Sequence, residues 1–235
     1  MQVRVTYVYH SCFVLEMGGA TLLFDYPGGY AGQEGTHLVE TMVKGADLWS
    51  FSSHAHGDHF SRAVFDLKDT AKKARFILSS DISTGKNDGL ITHISADERV
   101  TVDGIKVSAL KSNDEGVAFI IEHKGVKAYF GGDLANWNWP EESTPEEMEV
   151  VETYFASVVE RLVKEKVHIA FSNADTRLEN WAGGAQLANR LMPALFVPMH
   201  LFGNAGALKR FAPKLDPKVN AFIYKNTGDS ITIDV

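Results

Sequence analysis

Short stretches of alternating apolar and polar residues dominate the first half of the chain. Every second residue from 3 to 7 is apolar, and apolar stretches at 13–15 and 21–24 follow, separated by the glycine pair at 18–19. Alternation at this spacing, interrupted by glycine, is typical of a β-meander. Similar patterns predict strands at 47–52, 75–78, 99–102, 106–110, 117–122 and 127–130, with turns at 103–104 and 124–125.

Helical and strand patterns alternate in the second half of the chain. Thr144, Pro145 and Glu147 combine a capping box with a proline in the first turn, and the apolar stripe after them predicts a helix to about residue 166. Other helices are predicted at 36–45, from 58–60 to 73, at 184–192 and at 205–213, a turn at 85–89, and strands at 168–172, 195–198, 221–224 and 230–233. This order favours an α/β fold with two sheets packed face to face and helices outside, in one domain over residues 1–235.

Composition and charge narrow the functional classes. A hydrophobic fraction of 45% over 235 residues can fill a sizeable core. A net charge of −7, without a dense lysine and arginine cluster, disfavours a nucleic-acid-binding surface. Cys12 is the only cysteine, so no disulfide can form within the chain, which fits a reducing compartment. No apolar run reaches the roughly 20 residues that span a bilayer, and the N-terminus does not resemble a signal peptide, so we expect a soluble cytoplasmic protein with no membrane partner.

A dense polar motif, HAHGDH, begins at His54. His54 and His56 are two residues apart, so an extended backbone directs both side chains to the same side. Gly57 allows a turn that presents Asp58 and His59 at another angle. Neutral imidazole and carboxylate oxygen are ligands of Zn²⁺, with Mn²⁺ or Fe as alternatives. The motif therefore predicts a metal site.

Other polar residues share one position in the predicted topology, because each follows the C-terminal end of a predicted strand. Such strand ends meet at one edge of a sheet, so residues far apart in sequence can gather around one ion. The residues at these positions are Asp25, His54, Asn113, Asp114, Asp133, Asp175 and His200.

The HAHGDH segment resembles the HxHxDH signature of the metallo-β-lactamase superfamily of metallohydrolases. The resemblance extends from about residue 2 to the C-terminus and is closest to the lactonase-like branch. It implies an α/β fold of the four-layer αββα sandwich type, with two mixed sheets flanked by helices. It also implies two metal ions that share one water-derived nucleophile.

The resemblance implies a role for each matching residue. Asp25 is expected to support the HAHGDH loop rather than to bind metal, and Asp58 to orient the nucleophile and move a proton. Asp133 is the second expected catalytic residue, because it bridges both ions. The implied ligands are His54 and His56 for the first site, Asp58, His59 and His200 for the second site, and Asp133 for both.

One expected ligand of the first site is missing. The segment 110–116, where a third histidine is expected, contains none. Asn113 or Ser112 is expected at that position, and Asp114 is close enough in sequence to substitute. Three outcomes follow: two ions of unequal affinity, one ion in the second site, or a preference shifted from Zn²⁺ to Mn²⁺ or Fe²⁺ by a carboxylate ligand.

Three further residues have two interpretations each. By the resemblance, His10 borders the active cleft, whereas its position alone also fits an ordinary histidine at the end of a strand. Asp175 and Arg177 follow a buried strand, and they either bind an anionic group of the substrate or form a structural pair that fixes their loop.

The function predicted from these features is a metal-dependent hydrolase that uses metal-activated water on a small-molecule ester, lactone, amide or phosphodiester. The missing histidine supports an alternative, which is a metal-binding or sensing protein on a hydrolase scaffold with little turnover. A nucleic-acid-acting enzyme requires a basic groove, and the charge pattern disfavours it.

Overall fold

The computed structural model, which describes residues 1–85 and 89–235, contains two mixed β-sheets. The first sheet opens with the predicted antiparallel meander and continues with parallel strands. In spatial order its strands are β13 (Ser230–Asp234), β1 (Gln2–Tyr9), β2 (Cys12–Met17), β3 (Ala20–Phe24), β4 (Asp47–Ser52), β5 (Lys73–Ser79) and β6 (Ile91–Ile94).

The second sheet is antiparallel in its first half and parallel in its second half. Two of its hairpins turn at 103–104 and 124–125, where positive φ angles fit the predicted two-residue turns. In spatial order its strands are β12 (Leu195–Met199), β11 (Ile169–Asn173), β10 (Val126–Phe130), β9 (Val117–His123), β8 (Ile105–Lys111) and β7 (Arg99–Val102).

Helices flank the two sheets. Those in the described residues are α1 (Gly32–Val43), α2 (Pro145–Glu165), α3 (Gly184–Leu191) and α4 (Leu208–Phe211). Val39 and Val43 of α1 join a core cluster with Phe76 of the first sheet, and Phe155 of α2 joins another with Phe171 of the second sheet. No helix in the described part of the chain has both the length and the apolar character needed to cross a bilayer.

Aromatic rings join the two sheets face to face. The rings of Phe24 and Phe130 stack with centroids 4.5 Å apart, and those of Phe51 and Phe119 meet edge to face at 5.4 Å. All four side chains are fully buried, so this layer supplies much of the apolar burial that stabilises the fold. The predicted arrangement of two mixed sheets with helices outside is confirmed.

The C-terminal ends of parallel strands from both sheets meet at one edge. The two sheets are also linked there directly, because Val117 N of the second sheet donates a hydrogen bond to Ser53 O after β4 at 2.9 Å. The polar residues that follow strand ends at this edge are Asp25, Ser53, His54, Asp133, Asp175 and His200.

The sequence-based prediction and the structure differ at several points. The helix predicted from 58–60 to 73 is a 3₁₀ helix, Arg62–Asp69, because His59 N and Phe60 N both donate to His56 O and fix a tight turn before it. The strand predicted at 221–224 is a single bridge between Phe196 and Ala221. β6 is absent from the sequence-based prediction, and residues 86–88 of the turn predicted at 85–89 lie outside the described residues.

Thr144 and Glu147 form the predicted capping box of α2, with Thr144 Oγ1 accepting from Glu147 N at 3.3 Å and Glu147 Oε2 accepting from Thr144 N at 2.9 Å. We predict that Thr144→Ala lowers the free energy of unfolding by about 1 kcal/mol, because one helix N–H loses its acceptor. Urea denaturation measures the change. Thr144→Ser keeps the acceptor and serves as the control, and an equal loss in both variants would contradict the prediction.

Candidate metal centre

Three buried imidazoles at the shared edge have the same hydrogen-bonding pattern. Their Nδ1 atoms lie against Ser53 Oγ at 3.0 Å for His54, Asp25 Oδ2 at 2.7 Å for His59 and Asp175 Oδ2 at 3.0 Å for His200. A neutral ring that donates from Nδ1 has its lone pair on Nε2. Each ring therefore presents Nε2 to the interior of the centre, as metal-binding histidines do.

Asp25 fixes the orientation of two of these imidazoles, both of which follow strand β4 of the first sheet. Its carboxylate is fully buried and accepts hydrogen bonds from Ser53 N and Ser53 Oγ, each at 2.7 Å, besides the contact with His59. Because Ser53 Oγ donates to Asp25, it is free to accept from His54 Nδ1. One carboxylate thus orients both imidazoles, in agreement with a supporting role for Asp25.

Asp133 lies between two groups of imidazoles. Its Oδ1 is 3.3 Å from both His59 Nε2 and His200 Nε2, whereas its Oδ2 is 3.4 Å from His54 Nε2. Two nitrogen ligands at 2.0–2.1 Å from a tetrahedral Zn²⁺ lie about 3.3–3.4 Å apart. The separations around Asp133 therefore fit one ion at each carboxylate oxygen.

Unpartnered buried atoms support the same conclusion. Within the described residues, His59 Nε2 and Asp133 Oδ1 are buried and have no hydrogen-bond partner. Leaving two acceptors buried without a donor is unfavourable, and a cation between them removes that cost. His54, His59 and Asp133 also have ligand atoms that all lie within 4.8 Å of one another. The residues present fit a divalent metal ion.

The first group of imidazoles, on the Oδ2 side of Asp133, consists only of His54 and His56. His54 Nε2 and His56 Nδ1 are 3.0 Å apart, and His56 is exposed at the mouth of the centre. Asn113, one candidate for the missing ligand, donates to Ala135 O at 2.8 Å and accepts from Ala135 N at 3.1 Å, so its amide is engaged in fixing the loop. Ser112, the other candidate, is buried, and its Oγ accepts from the backbone N–H of residue 114 at 3.1 Å.

Asp114 has the electrostatic neighbours that a ligand of the first group requires. Burial and the carboxylate of Asp133 raise the pKa of Asp114, and the imidazoles of His54 and His56 oppose this shift. Its segment is held against the motif, because a Cβ on Gly116 would lie 2.0 Å from Ser53 O. Asp114 is exposed, and it is the carboxylate of this segment that interacts electrostatically with both imidazoles of the first group.

Two glycines bring the second sheet unusually close to the motif. A Cβ on Gly116 would also lie 2.6 Å from His54 Cβ, and one on Gly132 would lie 2.6 Å from Ser53 Cβ. Both glycines have positive φ angles, 65° and 52°, which side-chain-bearing residues rarely adopt. Ser53 and His54 are thus enclosed between two glycine turns.

Asp58 lies at the opposite side of the centre. Its Oδ2 is 3.9 Å from His59 Nε2 and 3.4 Å from His10 Nε2. The contact with His10, with the other nearby imidazole charges, holds the pKa of Asp58 well below its usual range, although partial burial opposes this. Asp58 is therefore a carboxylate at neutral pH, placed to join the group of His59, His200 and Asp133.

Asp175 and Arg177 form an ion pair behind His200. Arg177 Nε donates to both Asp175 oxygens at 3.0 Å and Nη2 donates to Oδ2 at 2.5 Å. The same Oδ2 receives His200 Nδ1, so the pair fixes the orientation of that imidazole. The geometry favours the structural interpretation of Asp175 and Arg177 over the anion-binding one.

The electrostatic balance of the metal-free centre favours protonated imidazoles. Burial opposes a charge on His200, but the nearby carboxylates of Asp133 and Asp175 outweigh it and raise its pKa to about 9. Burial likewise opposes ionisation of Asp133, but the nearby imidazoles outweigh it and hold the pKa of its carboxyl well below the usual range. Burial dominates for His54 and lowers its pKa. Metal binding must therefore displace protons from the centre.

Aromatic side chains and a cavity adjoin the centre. Trp137 Nε1 donates to Asp133 O at 2.7 Å, and its ring meets that of His200 edge to face at 5.4 Å. Trp139 stacks beside Trp137 with ring centroids 6.2 Å apart. Trp139 and Arg177 also line a cavity of about 690 Å³, which none of the six predicted ligands lines.

The structure brings together all six predicted ligands, with Asp25 and Asp175 as their hydrogen-bonding partners. Two contributors were not predicted. Ser53, which connects Asp25 to His54, is indistinguishable in sequence from Ser50 and Ser52 just before it. Phe202, whose N–H donates to His10 Nδ1 at 3.0 Å, carries no sequence signal at all, because the contact uses only its backbone.

The chain is similar to known proteins in sequence pattern and in fold. The model of the family described as Beta-lactamase superfamily domain matches residues 4–200. A search of curated proteins found no match.

Similar solved structures include Igni18, described as a novel metallo hydrolase from the archaeon Ignicoccus hospitalis, at 16% identity and a TM-score of 0.66 over 100% of both chains. YhfI from Bacillus subtilis, described as a metallo-beta-lactamase fold protein, aligns at 15% identity and a TM-score of 0.62 over 98% of this chain and 99% of its own. CmlA from Streptomyces venezuelae, described as a diiron beta-hydroxylase, aligns at 15% identity and a TM-score of 0.57 over 99% of this chain and 54% of its own. At these identities the likeness shows a shared fold.

We predict that Asp25→Asn weakens metal binding by about 10- to 100-fold, the usual effect of losing a partner behind a metal ligand. The amide presents a donor where Ser53 Oγ and His59 Nδ1 need an acceptor. Competition with a chelator measures the affinity. Asp47→Asn, at a half-buried carboxylate in a surface ion pair with Lys72, is the matched control. An Asp25→Asn affinity equal to that of the control would contradict the prediction.

We also predict that the metal-free protein loses stability as pH rises from 6.5 to 9. Folding raises the pKa of His200 from 6.5 to about 9, so its contribution is complete below pH 6.5 and disappears as pH passes 9. The shift corresponds to on the order of 3 kcal/mol. Urea denaturation of chelator-treated protein measures it, and the His200→Gln variant should show a flatter dependence. Equal pH dependence in both proteins would refute the assignment to His200.

Proposed function

The chain belongs to the family described as Beta-lactamase superfamily domain, and from that premise we propose that it is a metal-dependent hydrolase. The proposed substrates are small-molecule esters, lactones, amides or phosphodiesters. One observation carries the proposal: the carboxylate of Asp133 faces His59 and His200 with one oxygen and His54 with the other. This arrangement suits a carboxylate shared between two cations.

Each group of residues has a definite task in the proposed reaction. A divalent ion held here lowers the pKa of a coordinated water towards roughly 7 and so supplies hydroxide at neutral pH. Asp58, which is ionised and half-buried, is the residue proposed to orient the attacking water. Asp25 and Asp175 keep the imidazoles of His59 and His200 fixed, so the centre needs little reorganisation during the reaction.

Asp114 bears on metal identity. A first site of His54, His56 and Asp114 replaces a third imidazole with a carboxylate, which is a harder ligand. We propose that the two sites differ in affinity and that the first accepts Mn²⁺ or Fe²⁺ more readily than an all-imidazole site does. Zn²⁺ remains the proposed ion of the second site.

The proposed substrate is a small molecule rather than a macromolecule. The cavity beside Trp139 and Arg177, about 690 Å³ in volume, is the size of a small-molecule pocket. Arg177 is already paired with Asp175, and three glutamates, Glu141, Glu142 and Glu179, also line this cavity. This balance, with the net charge of −7, disfavours nucleic acid and other polyanions as partners.

One observation favours a second candidate function, a metal-binding or sensing protein with little turnover. The first group contains only two imidazoles, and His56 is exposed, so its ion is expected to be held weakly. A protein with only the second ion occupied retains a binding site but lacks the shared arrangement around Asp133. Metal content and turnover distinguish the two functions.

We predict that His56→Ala and Asp133→Ala each abolish hydrolysis and remove at least one metal equivalent. His56→Ala leaves a single imidazole in the first group, and Asp133→Ala removes the carboxylate that both groups face. Elemental analysis measures bound metal, and a panel of lactones, phosphodiesters and nitrocefin measures turnover.

His37→Ala, at an exposed histidine of α1, is the control for both variants. Full metal content and unchanged turnover in His56→Ala and Asp133→Ala would defeat the proposed hydrolase. Tight metal binding by the unsubstituted protein, with no turnover on any substrate of the panel, would favour the sensing function.

We predict opposite effects for two substitutions of Asp114. Asp114→Ala should lower the affinity for the first-site ion by more than about tenfold, the lower bound for losing even an outer partner of a metal ligand. Asp114→His should strengthen Zn²⁺ relative to Mn²⁺, because it restores a third imidazole. Competitive titration with both ions measures the preference. Identical titrations for the unsubstituted protein and both variants would show that Asp114 does not contact the ion.

A further inference from the structure

His10 is a fully buried histidine at the centre, and its ring accepts one hydrogen bond. The backbone N–H of Phe202 donates to His10 Nδ1 at 3.0 Å. A backbone N–H can only donate, so Nδ1 must carry a lone pair. The ring is therefore neutral and carries its proton on Nε2. This assignment follows from the hydrogen bond alone, and it is the reverse of the one found for His54, His59 and His200.

The proton on Nε2 points into the centre. His10, His59 and His200 have ligand atoms within 4.8 Å of one another, so by distance the three could form a metal site. A nitrogen that carries a proton has no lone pair for a metal ion, and turning the ring over would leave the Phe202 N–H without its acceptor. The tautomer thus excludes His10 from the ligand set that its position suggests.

The nearest acceptor for this N–H is Asp58. His10 Nε2 lies 3.4 Å from Asp58 Oδ2, beyond ordinary hydrogen-bond length, and within the described residues it has no other partner. The same oxygen lies 3.9 Å from His59 Nε2. A small movement of the half-exposed Asp58 side chain towards the centre would bring its Oδ2 within hydrogen-bond distance of His10 Nε2. The same movement would bring the carboxylate closer to His59.

We propose that His10 is a positioning residue, a locked hydrogen-bond donor that holds the Asp58 carboxylate against the His59 and His200 group. The proposal rests on the proposed function, because it assigns His10 a task towards the second metal ion. Hydrogen bonds to Asp25 and Asp175 orient His59 and His200. In this proposal His10 orients Asp58 in the same way.

The surroundings of His10 keep the donor in place. Its ring lies 4.1 Å from the ring of Phe202 and 4.4 Å from that of His200, between centroids. Its backbone has a φ of 50°, unusual for a residue with a side chain, and its N–H donates to Tyr7 Oη at 3.3 Å. Packing and backbone together leave the ring little freedom to adopt another orientation.

Two substitutions of His10 test the roles of its two ring nitrogens separately. His10→Gln places an amide donor near the position of Nε2, and His10→Asn places an acceptor near the position of Nδ1. Titration with Zn²⁺ after chelator treatment should give the same number of equivalents in both variants as in the unsubstituted protein. The affinity for the second-site ion should fall by about 10- to 100-fold in His10→Asn and stay close to the original in His10→Gln.

A double-mutant cycle tests whether His10 affects metal affinity through Asp58. In an Asp58→Ala background, His10→Asn should cause no further loss of affinity, because the acceptor that it served is gone. Additive losses, equal losses in His10→Gln and His10→Asn, or the loss of a whole metal equivalent in either variant would each overturn the proposal. Thermal unfolding of both variants checks that they fold alike.

A measurement on the metal-free protein does not depend on activity. Histidine-ring nitrogen NMR should show His10 with a protonated Nε2 and an unprotonated Nδ1, and Asp58→Asn should shift the Nε2 signal. A protonated Nδ1, or an Nε2 signal unchanged by Asp58→Asn, would overturn the proposal. Failure of the protein to bind Zn²⁺ would instead defeat the proposed function, and the NMR result would still decide the contact.

Discussion

The centre depends on buried hydrogen bonds that hold the Nδ1 atoms of its imidazoles. A histidine alone can rotate, flip or change tautomer, and each change moves the lone pair that a metal ion needs. Asp25 and Asp175 remove these freedoms for His59 and His200, and Ser53 does so for His54. The aligned strand ends supply the positions, but these hydrogen bonds supply the direction of each ligand atom.

The same arrangement concentrates charge in an apolar interior. The carboxylate of Asp133 is buried among the imidazoles of His54, His59 and His200. Without an ion, protons on His200 and its neighbours balance the carboxylates, which explains why burial fails to lower the pKa of that ring. Protons and metal ions therefore compete for the same ligand atoms, and the folded protein can bind either.

The sequence was most informative where local chemistry determines structure. Alternation and glycine turns located the meander, the Thr144 capping box located α2, and the strand ends located Asp133 and His200. It was least informative where tertiary contacts decide, as for Ser53 and the backbone of Phe202. The predicted helix after the motif became a 3₁₀ helix because hydrogen bonds to His56 O fixed its start. The lactonase-like branch, the single domain and the ligand roles stay predictions.

Gly116 and Gly132 enclose Ser53 and His54 so closely that no side chain fits at either position. A side chain at either position would push Ser53 or His54 aside, and the ligand atom of His54 would move with it. Two residues without side chains thus set the distance between the second sheet and the motif, and that distance cannot change at these points without disturbing a ligand.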